Sequence, residues 1–147
     1  MRPTWQEYFI KIAVASASRS TCERRKVGAV LVKNQDILAT GYNGAPSGLE
    51  HCATRGCMRE KMGIPSGRQL DICLAIHAEQ NVIIQAARHG SNIAGSDLYC
   101  TNSPCLTCAK MIVNAGISRV FYIEKYNDDI ALSILAEAGI TAAQIKE

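Results

Sequence analysis

No run of apolar residues in this chain approaches the ~20 needed to cross a bilayer. The opening stretch MRPTWQEYFIKIAVASAS is interrupted by Gln6, Glu7 and Lys11 where an export signal would carry an unbroken apolar segment. The expectation is therefore a soluble, cytoplasmic protein without a membrane partner. A surplus of charge of either sign is missing too: 16 Lys and Arg stand against 13 Asp and Glu, a net charge of +3. That argues against the basic footprint of a protein that coats nucleic acid, while a small phosphorylated ligand stays compatible. Internal repeats and low-complexity segments are also lacking. With 147 residues, 48% of them apolar, the chain has material for one core and too little for a second. A single domain over 1–147 is expected.

Cysteine, by contrast, is plentiful. Cys22, Cys52, Cys57, Cys73, Cys100, Cys105 and Cys108 make an odd set of seven. In a reducing compartment such a set reads as metal ligands or buried thiols rather than disulfides.

Thr4 with Glu7 three positions on forms a capping-box pattern, opening an amphipathic helix to about Ser18 with Tyr8, Phe9, Ile12 and Ala15 toward a core. VGAVLVK and DILATGY read as two strands of a hairpin around Asn34-Gln35, a turn without the usual glycine. Periodicity then fails. A Cys-bearing insertion at about 44–73, rich in glycine and with two prolines, is too long for an idle loop and reads as ordered, with a helical turn near Met58 to Met62. Helical character returns at His77 and ends near Gly90. DLYCT reads as a buried strand. Ser103 and Pro104 supply an N-cap and first-turn proline for a helix ending at Gly116. RVFYIE is a strand, DDIALSILAEAG a helix and ITAAQI an edge strand. This alternation predicts an α/β fold, a three-layer α/β/α sandwich around a mixed sheet of about five strands.

Two features carry chemistry. Cys105 and Cys108 stand at i and i+3 in a first helical turn, so both sulfurs can point one way, and a helix N-terminus favours the thiolate. Alone, CxxC is ambiguous between a redox couple, half a zinc site and coincidence. His77-Ala78-Glu79 lies 28 residues upstream of Cys105, at another helix start. In a sheet whose successive helices begin at one edge, two such tips can meet. His77, Cys105 and Cys108 would then give three protein ligands and an open position, the pattern of a catalytic zinc. Glu79 is free to take and return a proton beside it.

HAE followed by PCLTC is the known signature of the zinc nucleobase deaminases, and the chain resembles the cytidine deaminase superfamily. STCERRKVGAVLV, GYNGAPSG, HAEQNVIIQAARHG, SPCLTCAKMI and YIEKYNDD together look like its deoxycytidylate deaminase branch, across most of residues 4–127. The resemblance implies hydrolysis of dCMP to dUMP and ammonia in pyrimidine deoxynucleotide metabolism, with Glu79 as the proton shuttle. It also implies that Asn43 bonds the sugar hydroxyl, the Ala78 backbone reads the base edge, and Tyr126 stacks near base or sugar. Arg24 is the favoured phosphate ligand, with Arg25 and Lys26 as rivals that sequence cannot rank. Family members are often hexamers activated by dCTP and inhibited by dTTP, so a homo-oligomer, allosteric nucleotide effectors and an accompanying Mg are implications of the same kind.

Of the remaining cysteines, Cys100 sits in a strand and reads as a small buried hydrophobe. Cys22, Cys52, Cys57 and Cys73 bracket the insertion, where a structural zinc would substitute coordination for missing apolar burial. The resemblance implies the same, since several members of the branch carry a second zinc with a varying set of Cys, His and Glu ligands, and His51 could replace a cysteine. The spacings form no paired CxxC knuckles.

Each assignment has a plainer rival. His77 could be an ordinary helix-end histidine, Glu79 a first-turn acid, Cys105 and Cys108 a redox pair, and the four insertion cysteines reduced thiols. Asn43 could be only a turn residue, Tyr126 a surface aromatic and Arg24 to Lys26 a solvated face. His89 reads as a helix C-terminal residue. For the function the rivals are deamination of cytidine, CMP, guanine, a riboflavin precursor or tRNA adenosine, and a non-catalytic zinc- or nucleotide-binding module.

Overall fold

The computed structural model describes residues 1–147. Helix α1 (Trp5–Ala17) opens with the expected capping box: the Glu7 amide donates to Thr4 Oγ1 at 3.2 Å, and the Thr4 amide donates to Glu7 Oε2 at 2.7 Å. Its inward face differs from expectation. Phe9, Ile10, Ala13 and Ala17 are buried, Ile12 is half-buried, and Tyr8 and Ala15 face outward. Apolar residues occur on both sides of this helix, so periodicity alone chose the wrong stripe; the match of Phe9 to the sheet's aromatics decided it. Phe9 packs on Tyr99 with ring centroids 5.4 Å apart, and Tyr99 stacks on Phe121 at 4.8 Å.

Strands β1 (Gly28–Lys33) and β2 (Asp36–Tyr42) pair antiparallel through Asn34 and Gln35, both at positive φ (51° and 66°). This is the backbone pattern of a type I′ turn, adopted without glycine. Segment 43–77 follows with two one-turn helices, α2 (Cys52–Arg55) and α3 (Met58–Lys61), and a 3-10 turn at Leu70–Ile72. Then come α4 (Ala78–Arg88), β3 (Asp97–Asn102), α5 (Leu106–Asn114), β4 (Arg119–Glu124), α6 (Asp129–Glu137) and β5 (Thr141–Gln144).

The sheet order is β2-β1-β3-β4-β5, with β1 antiparallel to both neighbours and β3, β4 and β5 parallel. Strand alternation divides the core. Val30, Val32, Tyr99 and Phe121 meet α1 on one face. Ala29, Leu31, Leu98, Cys100 and Val120 meet Val82 of α4, Ile112 of α5 and Leu135 of α6 on the other. This is the expected α/β/α sandwich on a mixed five-stranded sheet. Gly28 lets α1 sit close: a Cβ there would collide with the Ala13 carbonyl and the Ala17 amide. No helix is long and apolar enough to cross a membrane.

Candidate active site

The N-terminal tips of α4 and α5 meet. His77 precedes α4 and is fixed by its amide, which donates to Gln80 Oε1 at 2.8 Å. Cys105, not Ser103, caps α5, and Cys108 occupies its third position. The expectation of a Ser103 cap with Pro104 at the first helical position is thus corrected: Ser103 Oγ is used elsewhere, accepting the Tyr126 amide at 2.6 Å. His77 Nδ1 lies 3.3 Å from Cys108 Sγ and 3.5 Å from Cys105 Sγ, and all three ligand atoms fall within 4.8 Å of one another.

The electrostatics suit a cation. The Cys105 thiol is drawn down to about 4, chiefly by the Cys108 hydrogen bond and, against burial, by His77 and the Cys108 amide. The Cys108 thiol is raised by that same bond, then by burial and by the Glu79 charge. His77 is raised by its bond to Cys105. Two sulfurs and one nitrogen, buried and convergent, fit a zinc ion with three protein ligands and one position for a non-protein ligand. Glu79, one residue into α4, is 5% exposed. Burial raises its carboxyl against the attraction of His77.

These residues form one end of an open cleft whose empty space, counted out into its solvent-filled mouth, is about 670 Å³. Asn43 lines it but is heavily committed. Its Oδ1 accepts from the Val27 amide (2.8 Å) and Ser20 Oγ (2.6 Å), and its Nδ2 donates to the Arg25 carbonyl (2.8 Å). More than a turn residue, it clamps the 20–27 segment, with one N–H left to offer. Ala78 is fully buried and is among the residues that line the cleft. Tyr126 lies under the Arg25 guanidinium, 5.0 Å from ring centroid to Cζ. Arg24 and Arg25 both line the cleft; Lys26 is exposed and outside it.

Cys52 and Cys57 are buried, and Cys22 and Cys73 partly so. Burial raises the Cys52 thiol, and Cys22, Cys73 and Cys57 each raise it further, so the quartet gathers around Cys52. It is looser than the His77 trio, which alone brings three such donors within 4.8 Å. His51 turns its Nδ1 to Thr21 Oγ1 at 3.3 Å. Cys100 is fully buried, as its strand position implied.

Sequence reasoning missed two residues. Arg59, 6% exposed, projects from the insertion into the cleft wall; in MREKM it reads as an ordinary surface cation. Asp128 was legible as a helix-starting acid, but its second bond, Oδ2 accepting the Leu106 amide at 2.9 Å, spans 22 residues and has no local signal.

Residues 3–124 match the family model described as the cytidine and deoxycytidylate deaminase zinc-binding region. The chain is 45% identical over 147 residues to a deoxycytidylate deaminase of Saccharomyces cerevisiae, covering 98% of this chain and 46% of that protein. It therefore spans about half the length of that yeast relative. A deoxycytidylate deaminase of Mycobacterium phage D29 is 44% identical over 126 residues, covering 82% of this chain and 95% of the phage protein. Among solved structures, the dCMP deaminase of cyanophage S-TIM5 in complex with dCMP and dUMP superposes with a TM-score of 0.83 at 36% identity, covering 99% of both chains. Paired helix tips, a His-Cys-Cys donor set and matches of this extent lead to one assignment: the chain belongs to the cytidine and deoxycytidylate deaminase family.

Proposed function

We propose that the protein hydrolyses dCMP to dUMP and ammonia. The observation that carries this is the approach of His77 Nδ1 to the two sulfurs at 3.3 and 3.5 Å beside buried Glu79. The likeness over 99% of the chain to an enzyme described with dCMP and dUMP supports the choice of substrate. His77, Cys105 and Cys108 would hold zinc, whose chemistry when bound is to make water nucleophilic near neutral pH. Glu79 accepts the proton released as water attacks C4 of the cytosine and delivers it to N3. It then takes the proton of the new C4 hydroxyl and passes it to the amino group, so that the C4–N bond breaks, ammonia leaves, C4 becomes a carbonyl and the first proton stays on N3. Its burial favours the protonated carboxyl, which suits a group that carries each proton in turn from oxygen to nitrogen.

The remaining N–H of Asn43 is the group it can direct at a sugar hydroxyl. The Ala78 backbone is assigned to the base edge and Tyr126 to the base or sugar. Of the three adjacent cations, Arg24 and Arg25 are retained for the phosphate.

A second, structural zinc at Cys22, Cys52, Cys57 and Cys73 is supported by the burial of Cys52 and Cys57 and by the effect of the other three sulfurs on the Cys52 thiol. A hexamer and dCTP and dTTP as effectors with accompanying magnesium rest on the family resemblance alone, and a cytoplasmic location rests on the hydropathy pattern of the sequence. No nucleic-acid partner is proposed.

The decisive experiment measures ammonia release from dCMP, CMP, cytidine and guanine side by side. Preference for dCMP is expected. Activity confined to an unphosphorylated substrate would remove the dCMP assignment.

A further inference from the structure

Arg59 is a buried cation without a counter-charge. The ion pairs of the molecule are Arg119–Asp97 and Lys125–Asp129, both distant in sequence from the cleft's arginines. Glu79, the carboxylate on the cleft wall, pairs with neither Arg59 nor Arg24. Burying a charge unpaired costs several kcal/mol in general, so a fold that keeps one at 6% exposure leaves a place for an anion.

The guanidinium hydrogen bonds locate that place. Arg59 Nη1 donates to the Arg68 carbonyl at 3.1 Å, and its buried Nε has no acceptor. Arg24 Nη2 donates to the Ile64 carbonyl at 2.6 Å, and its buried Nη1 likewise has no acceptor. Both side chains line the cleft that holds His77 and Glu79. Arg24 thus spends one nitrogen lacing the 57–68 segment to the body and Arg59 spends one within that segment, while each keeps another nitrogen desolvated and unpaired. Lacing alone would need only a neutral donor.

We infer that Arg59 joins Arg24 in a two-guanidinium seat for the phosphoryl group of a nucleoside monophosphate, which makes the Cys-bearing insertion the selector of nucleotide over nucleoside. The inference rests on the deaminase reading above. Guanidinium groups suit this task because their planar fork matches phosphate oxygens, whereas an ammonium supplies charge alone. Arg59 stands two residues after Cys57, so whatever holds Cys57 in place also holds the selector.

The test compares zinc-loaded wild type, R59M, R59K and R24K. It measures kcat/KM for dCMP and for deoxycytidine, and calorimetric binding of dUMP, deoxyuridine and inorganic phosphate. The ratio of kcat/KM for dCMP to that for deoxycytidine should fall on the order of 100-fold in R59M, through KM more than kcat, given the usual strength of charged hydrogen bonds. R59K should recover part of the loss, and phosphate binding should weaken in both. R59K also keeps the charge should R59M fail to fold. A ratio and a phosphate affinity within twofold of wild type in R59K and R59M would overturn the seat while leaving dCMP deamination standing. Conversely, wild type that deaminates neither substrate, yet binds dUMP more tightly than deoxyuridine only when Arg59 is present, would support the seat and reject the deaminase reading.

Discussion

The carboxylate of Asp128 accepts the backbone N–H of Leu106 at 2.9 Å, tying the loop before α6 to the first turn of α5 between Cys105 and Cys108. Its other oxygen accepts the Ala131 amide at 3.1 Å and caps α6. One side chain thus satisfies orphan amides at two helix starts, and one of those starts carries two proposed metal ligands. D128A should lose about 1 kcal/mol for the α6 cap alone and also release zinc faster to a chelator. D128N, which keeps one accepting oxygen, should fall between. Thermal unfolding with a metal-release assay checks both, and zinc retention equal to wild type in D128A would refute the link to the metal centre.

E79Q should retain the catalytic zinc, because the carboxylate is not one of the three converging donors. Its turnover of dCMP should drop by ~10²–10⁴-fold, the usual worth of general acid–base catalysis. Metal analysis and kcat on the same preparation decide this; full activity would end the proton-carrier role.

C57S should lower zinc from two ions per chain to one and raise protease sensitivity in segment 43–77, while His77, Cys105 and Cys108 keep theirs. Wild type containing a single zinc would dispose of the second site.

G28A places a methyl group against the Ala13 carbonyl and the Ala17 amide, where backbone rather than a movable side chain must yield. A loss of about 1–3 kcal/mol is expected for such overpacking. Denaturant unfolding measures it, and a variant as stable as wild type would contradict the close approach of α1 to β1.

The Glu7 carboxyl is held below its ordinary value by the Thr4 amide and then by the Thr4 hydroxyl. A lowered folded value means that its contribution is present above the unfolded carboxylate range and is lost as pH falls through the folded value. The stability gap between wild type and E7Q should therefore shrink on acidification below pH 4.5. A gap constant with pH would show that the capping box contributes nothing through the charged form.

Much of the site was legible because its signals are local. The three-residue spacing of Cys105 and Cys108, the offset of His77 from Glu79 and the intervening helix and strand follow from chain geometry. The hairpin was readable from β-rich runs even though Asn34 and Gln35 lack a glycine. Other features were not readable. The inward stripe of α1 depended on which of its apolar residues met Tyr99. Ser103 lost the capping role to Cys105 because its hydroxyl accepts the amide of Tyr126, far along the chain. Asn43 resembles a turn asparagine until the 20–27 segment is packed against it.

By itself, then, the order of residues determined the alternation of strands and helices, the donor set His77, Cys105 and Cys108, and the presence of Glu79 beside it, since these depend on neighbours a few positions apart. Only tertiary packing decided that Arg59 is buried at the cleft, that Lys26 lies outside it, and that Asp128 bridges two helices. Burial and hydrogen bonding across 20 or more residues follow from which surfaces meet when the chain closes, and no local pattern records them.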